Sequence, residues 1–170
     1  MHSIFELVDA GDAEGVRQLV ADDPAAAEAR DDQGLSPIVH AAYRGHADLA
    51  SSLPALDGWD RIVLGRSEDL PAPDAWSPDG FTPLHIAAFV DNAAAARALL
   101  EAGADADILS RATYARVTPL GTCAFAGATD VARLLLEHGA DPSIAANDGE
   151  TPLDVARENG HDDLVELLGG

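Results

Sequence analysis

Asp79-Gly80-Phe81-Thr82-Pro83-Leu84-His85-Ile86-Ala87-Ala88 is the stretch whose reading decides the fold. Thr82 caps a helix by accepting from its first free amides. Pro83 suits the first helical position, where its missing N–H has no partner to lose. The paired alanines that follow let this helix lie close to its neighbours. Downstream, Ala98-Leu99-Leu100-Glu101-Ala102-Gly103-Ala104-Asp105 closes a second helix at Gly103, where a positive φ is needed.

The same phrase returns along the chain. Thr118-Pro119-Leu120 is followed by Leu134-Leu135-Leu136-Glu137-His138-Gly139-Ala140-Asp141, and then Asp148-Gly149-Glu150-Thr151-Pro152-Leu153-Asp154-Val155-Ala156. Upstream, Gly34-Leu35-Ser36-Pro37-Ile38-Val39-His40-Ala41-Ala42 is a weaker copy. The spacing is 33 residues from Thr118 to Thr151, 36 from Thr82 to Thr118 and 46 from Ser36 to Thr82. Val131, Leu134 and Leu135 have the three- and four-residue spacing of an apolar helix face. One helix pair cannot bury such a face alone, but stacked pairs can, and this explains the repetition.

These residues resemble the ankyrin repeat, whose signature is T-P-L-H-x-A at a period of 33. The likeness is very specific in the units beginning near Asp79 and Asp148, degenerate in the other two, and covers nearly the whole chain. It implies an all-α solenoid of helix-turn-helix units. A single domain, 1–170, then divides into an N-terminal capping repeat (1–32), a repeat (33–56), a truncated or irregular repeat (57–78), two repeats (79–114 and 115–146) and a C-terminal capping repeat (147–170).

The caps follow from composition. Gly11-Asp12 stands where later units carry Gly45-His46 and Gly160-His161, and Asp9, Asp12 and Glu14 are expected to solvate the first unit. The last helix, with Leu164, Val165, Leu167 and Leu168, is punctuated by Asp162, Asp163 and Glu166 and stops at Gly169-Gly170. The 46-residue gap is the irregularity. Trp59 to Leu70 parallels Phe5 to Val16, which favours a truncated repeat with Gly65 as its joining glycine; a plain insertion loop is the alternative. Pro71 and Pro73 are expected to break its second helix early, and Pro54 to shorten the outer helix before it.

Apolar residues make up 47 % of the chain, much of it Ala, and 30 acids against 10 bases give a net charge of −20. That charge opposes nucleic acid and anionic membranes and favours a basic partner. The single cysteine allows no intrachain disulfide and fits a reducing cytoplasm. No secretory signal or membrane span is expected, since Glu6 interrupts the start and no apolar run is long enough. High Ala and Asp, with Arg favoured over Lys, resembles GC-rich bacterial proteins.

No catalytic, cofactor or metal site is expected. The six histidines are scattered, and a zinc site needs short regular spacings, usually with thiolates. The resemblance gives His85 a backbone bond between units. His46 and His161 follow joining glycines, His138 sits beside Gly139, His40 is expected to be exposed, and His2 has no role. Cys123 replaces the first alanine of a pair and is expected to be buried packing rather than a nucleophile. No phosphate loop, nucleophile elbow or paired-carboxylate motif is present.

The resemblance also implies binding through finger turns and the exposed, concave face of the inner helices. The residue two places before each joining glycine gives a column: Asp9, Tyr43, Val63, Phe89, Phe125 and Glu158. Its middle is apolar and its ends are acidic. Arg44, Val90 and Ala126 stand beside it, and the fingers add Leu35, Phe81 and Val117, with Tyr114 and Arg116 in a finger three residues longer. Five of the eight aromatic residues fall on this strip. The candidate partner-binding set is therefore Tyr43, Arg44, Phe81, Phe89, Val90, Tyr114, Arg116 and Phe125, because contiguous exposed aromatics with Arg mark interfaces. Internal ring packing is the competing reading. The expected function is a non-catalytic adaptor or regulator, monomeric, binding another protein. The rivals are a ligand or enzyme pocket in residues 54–78, and a self-associating structural protein using the strip as a homodimer face.

Overall fold

Residues 3–114, 116–146 and 148–169 are described by the computed structural model; His2 and Gly170 lie outside them. All regular structure among them is helical. Five helix pairs run in chain order. They are α1 (Ile4–Asp9) with α2 (Ala13–Asp22), α3 (Pro37–Tyr43) with α4 (Ala47–Ser51), α6 (Pro83–Phe89) with α7 (Ala93–Glu101), α8 (Pro119–Ala126) with α9 (Thr129–Glu137), and α10 (Pro152–Glu158) with α11 (Asp162–Gly169). A lone helix, α5 (Gly58–Val63), stands between the second and third pairs.

The inner helices stack in one row, α1 on α3, α3 on α5, α5 on α6, α6 on α8 and α8 on α10, while α7, α9 and α11 form an outer layer. The inner helices start as their sequences dictate. Ser36, Thr118 and Thr151 each accept from the third amide of the helix they open, with proline next in line. Each finger then closes on itself. Asp31 N–H donates to Leu35 O, Ser77 N–H to Phe81 O and Ala146 N–H to Glu150 O; the longer third finger is closed by Ser110 N–H on Val117 O.

Three devices lock one unit to the next. His85 lies on its side between units: Thr82 Oγ1 donates to its Nδ1 at 2.8 Å, and its Nε2–H donates to Val117 O at 3.0 Å. His161 Nε2 donates to Phe125 O at 3.2 Å and covers Gly127. Asn92 occupies the place of such a histidine and donates from Nδ2 to Ile62 O and Arg66 O. Beside it Asp91 takes the joining-glycine position with φ 52°, and its Oδ1 accepts from Val131 N–H. That bond caps α9, whose own N-cap, Ala128, has no side-chain oxygen to offer.

Gly127 shows why this position is tight. Its φ is 79°, and a Cβ there would lie 2.9 Å from His161 Cε1, whereas Gly45, at φ 80°, faces open space. Gly127→Ala is expected to cost about 2 kcal/mol and Gly45→Ala about 1 kcal/mol, the first from strain and clash, the second from strain alone. Urea unfolding followed by circular dichroism checks this; equal losses would mean that His161 gives way freely.

The irregular middle is built differently from its expectation in one respect. Helix α5 ends at a joining glycine, Gly65, with φ 74°, but no helix lies between Val63 and Pro83, so Pro71 and Pro73 have no second helix to break. The outer helix before it, α4, has five residues and stops short of Pro54. Asp60 on α5 is fully buried and holds the joint: Ser36 Oγ–H donates to its Oδ1 and Leu56 N–H to its Oδ2 at 2.9 Å. Burial pushes its carboxyl above the usual range, against the hydrogen bonds that hold it down. The apolar core falls into two parts meeting here. One centres on Val8, Val16 and Ile38, the other on Leu84, Leu120 and Leu135, and Val63 packs against both.

Candidate partner-binding surface

Side chains from α3, α6 and α8 and from the second and third fingers share the inner face. Tyr43 and Phe89 meet edge to face, their ring centroids 5.1 Å apart, across the smaller Val63. Phe81 lies between His85, at 5.7 Å, and Tyr114, at 6.1 Å. Tyr43, Phe81, Phe89 and Val90 are half-buried, so much of their apolar area is spent on packing within the fold. Tyr114 and Phe125 are 64 % and 60 % exposed. Leu56 is the other exposed large apolar residue among those described, so two of three lie on this face.

The cations separate. Arg44 is exposed but its Nε donates to Asp9 Oδ1 at 2.9 Å; Arg116 is exposed at the long finger. Leu35, expected on the strip, is buried under its own finger, so the first finger contributes no apolar surface. His40, expected to be exposed, is instead clamped: Nδ1 lies 2.8 Å from Asp31 Oδ2 and Nε2 2.9 Å from Asp9 Oδ1, with the Phe5 ring against it. The physical reason is that a half-buried imidazole between two carboxylates is a better neighbour than water for all three. Asp9 is therefore not simply a solvating acid. Its hydrogen bond to His40 holds its carboxyl below the usual range.

The other end of the face differs. Glu158 pushes the Glu150 carboxyl up by like-charge repulsion. Glu150 and Glu158 thus set like charges against each other at that end, whereas Asp9 is paired with Arg44.

One carboxylate in the middle was not singled out by its sequence. Asp79, at the tip of the second finger, accepts from Ser77 Oγ–H at Oδ1, and its Oδ2 is buried. Tyr43 and Tyr114 stand beside it. Burial first, and then the Asp79 charge, push both phenols above the ordinary tyrosine range, and a hydrogen bond from the Tyr43 hydroxyl to the Asp79 carboxyl adds to the shift of Tyr43.

The groups that could carry chemistry elsewhere are sequestered. Cys123 is fully buried, and burial pushes its thiol far above the range in which a thiolate forms. Among the described residues no group of three or more His, Cys, Asp or Glu is placed to hold a metal, and no helix is long and apolar enough to cross a membrane. A cleft of about 150 Å³ lies between the first two fingers and α5, lined by Arg30, Leu35, Ser36, Asp57, Trp59 and Ser77 among others. Trp59 borders it, and Trp76 is capped by the Arg111 guanidinium 3.9 Å above its ring.

Stacked helix pairs joined by finger turns, with histidines bonding across units, define a helical repeat solenoid. A family model described as ankyrin repeats (3 copies) matches residues 4–112 and 108–169. The chain belongs to the ankyrin-repeat family, whose members are generally protein–protein interaction modules and typically non-catalytic. A comparison with curated proteins found no match.

Proposed function

We propose that the protein is a non-catalytic adaptor or regulator that holds a basic partner protein on its inner face, between Tyr43 and Phe125. The observation that carries this reading is the exposure of Tyr114 and Phe125 on the inner face of a chain whose net charge is −20. Exposed rings on a preformed, rigid row of helices dock with little loss of conformational entropy, and aromatic anchors supply most of the energy in such interfaces. In this reading 57–78 is a truncated repeat whose one helix, α5, continues the inner row. The chain acts as a monomer, and its single buried thiol suits a reducing cytoplasm.

A ligand pocket in the irregular middle is the weaker reading. The cleft there, about 150 Å³, is well below the roughly 300–1,000 Å³ of ordinary small-molecule sites. Tyr114→Ser/Phe125→Ser is the variant to test, because both rings are exposed and their loss spares the core. A partner captured by the native protein is expected to be lost, with affinity falling at least about 30-fold, while the circular-dichroism melt is unchanged. Retained capture would move the binding face elsewhere. Concentration-dependent mass in light scattering, abolished by the same substitutions, would instead favour a homodimer.

A further inference from the structure

We propose that His40 is a pH-sensitive latch between the first two helix pairs: doubly protonated, it bonds Asp9 of α1 and Asp31 of the first finger at once, and on losing a proton it keeps Asp31 and releases Asp9. Its Nδ1 lies 2.8 Å from Asp31 Oδ2 and its Nε2 2.9 Å from Asp9 Oδ1. An imidazole donates from both nitrogens only when it carries both protons. In the neutral ring one nitrogen turns a lone pair toward a carboxylate oxygen, and that contact becomes repulsive. Both bonds therefore coexist only in the charged form. Among the described residues the charged groups in contact with the ring are Asp9 from α1, Asp31 from the first finger and Arg44 from α3 itself. His46, at the start of α4, acts on Asp9, and Asp60 of α5 is bound to Ser36.

The surroundings decide which bond survives. The Asp31 side chain is 7 % exposed and its Oδ1 is fixed by the N–H groups of Gln33 and Leu35, so its Oδ2 cannot turn to water when a donor is withdrawn. The Asp9 side chain is 48 % exposed and can. The last proton therefore stays on Nδ1. Arg44 completes the exchange: its Nε lies 2.9 Å from Asp9 Oδ1 and 3.4 Å from His40 Nε2, so the N–H that serves Asp9 beside a charged ring turns to the lone pair of a neutral one. Asp9 then loses both partners together. What remains between α1 and α3 is apolar, with Ile4 and Val8 against Ile38 and Ala41 and the Phe5 ring against His40. Asp9 also heads the inner column, so its release uncovers a carboxylate at that end of the face.

The test follows the isotope-labelled full chain by NMR from about pH 5.5 to about pH 8, the range in which histidines ordinarily change charge. The His40 ring nitrogens should both carry protons at the low end, and Nδ1 alone at the high end. Hydrogen-exchange protection at the amides of Ala10 and Asp12, which close the end of α1, should fall about fivefold over the same range, after correction for intrinsic exchange. Asp9→Asn, at an exposed position, offers an oxygen to the charged ring and an N–H to the neutral one, so its fall should be less than about twofold. His40→Gln cannot titrate and should show the same flat profile. His46 titrates in all of these proteins, so the difference between profiles isolates His40. A neutral ring with its proton on Nε2, a ring still doubly protonated at the high end, or an equal fall in native and variants overturns the proposal.

Discussion

Asp60→Ala is expected to lower the unfolding free energy by about 3 kcal/mol, while Asp60→Asn changes it by less than about 1 kcal/mol. Alanine takes the acceptor away from the Ser36 hydroxyl and the Leu56 amide, and each group left orphaned costs roughly 1–3 kcal/mol. Asparagine keeps an oxygen for Leu56 N–H and offers an N–H to Ser36 Oγ, which already accepts from Val39 N–H. It also removes an ionisable group from a fully buried site. The sign with pH follows. The carboxyl is raised in the fold, so above its unfolded value the unfolded chain releases a proton that the native state retains. The native state is therefore penalised as pH rises. The stability of Asp60→Asn relative to native should accordingly increase from pH 4 to pH 7. Urea unfolding by circular dichroism at both values measures it. An alanine variant as stable as native would show that water or a rotated Ser36 satisfies the joint, and that Asp60 is not what binds α5 to α3.

Asp60 also marks the limit of what sequence alone conveys. Its alignment with Glu6, through the parallel of Trp59–Leu70 with Phe5–Val16, is sound as pattern. Glu6 is nonetheless exposed and bonds only Ser3 N–H in its own helix start, whereas Asp60 is buried beneath a neighbouring unit. Burial depends on what stacks on either side, and α5 is a helix with neighbours on both sides, while α1 begins the row. Asp79 and Asp148 make the same point. Both precede a finger glycine, but Asp148 is exposed and accepts from Glu150 N–H, whereas in the second finger Ser77 Oγ accepts from Phe81 N–H and leaves Asp79 turned toward the tyrosines. The repeat itself was legible because capping Ser and Thr, first-turn proline, paired alanine and closing glycine are local chemistry that each unit repeats. The column of aromatics was legible as a column. Which rings stay exposed was not, because it depends on the next residue along the row: Val63 is small enough for Tyr43 and Phe89 to meet across it, whereas Phe125, with Glu158 next in the column, is 60 % exposed. Asp91 at a joining-glycine position has no sequence signal either, since its role as a cap is carried out in the following unit.

The largest pH effect expected comes from His85. The ring is 1 % exposed, and burial pushes it down to about 4 against the pull of its bond to Val117 O. Its tautomer is set by its partners: Nδ1 accepts from Thr82, so the proton sits on Nε2 and faces Val117 O. Charging the ring places a second N–H against the Thr82 hydroxyl and costs desolvation as well. Above about 6.5 the imidazole is neutral in both folded and unfolded chains and stability is at its full value. As pH falls from 6.5 toward 4 the unfolded chain takes up a proton that the native state refuses, and the stability lost reaches about 3 kcal/mol. Below the folded value both states are charged and the loss levels off. The 30 acids titrate over an overlapping range, so the native curve alone cannot isolate the ring. His85→Gln can, because it keeps a donor that reaches Val117 O and removes only the titration. Urea unfolding of both proteins between pH 7.5 and 4 should show native stability falling relative to His85→Gln by about 3 kcal/mol, all of it below about 6.5. Parallel profiles would mean that the His85 site admits the charged ring, which a dry contact between two stacked units does not allow.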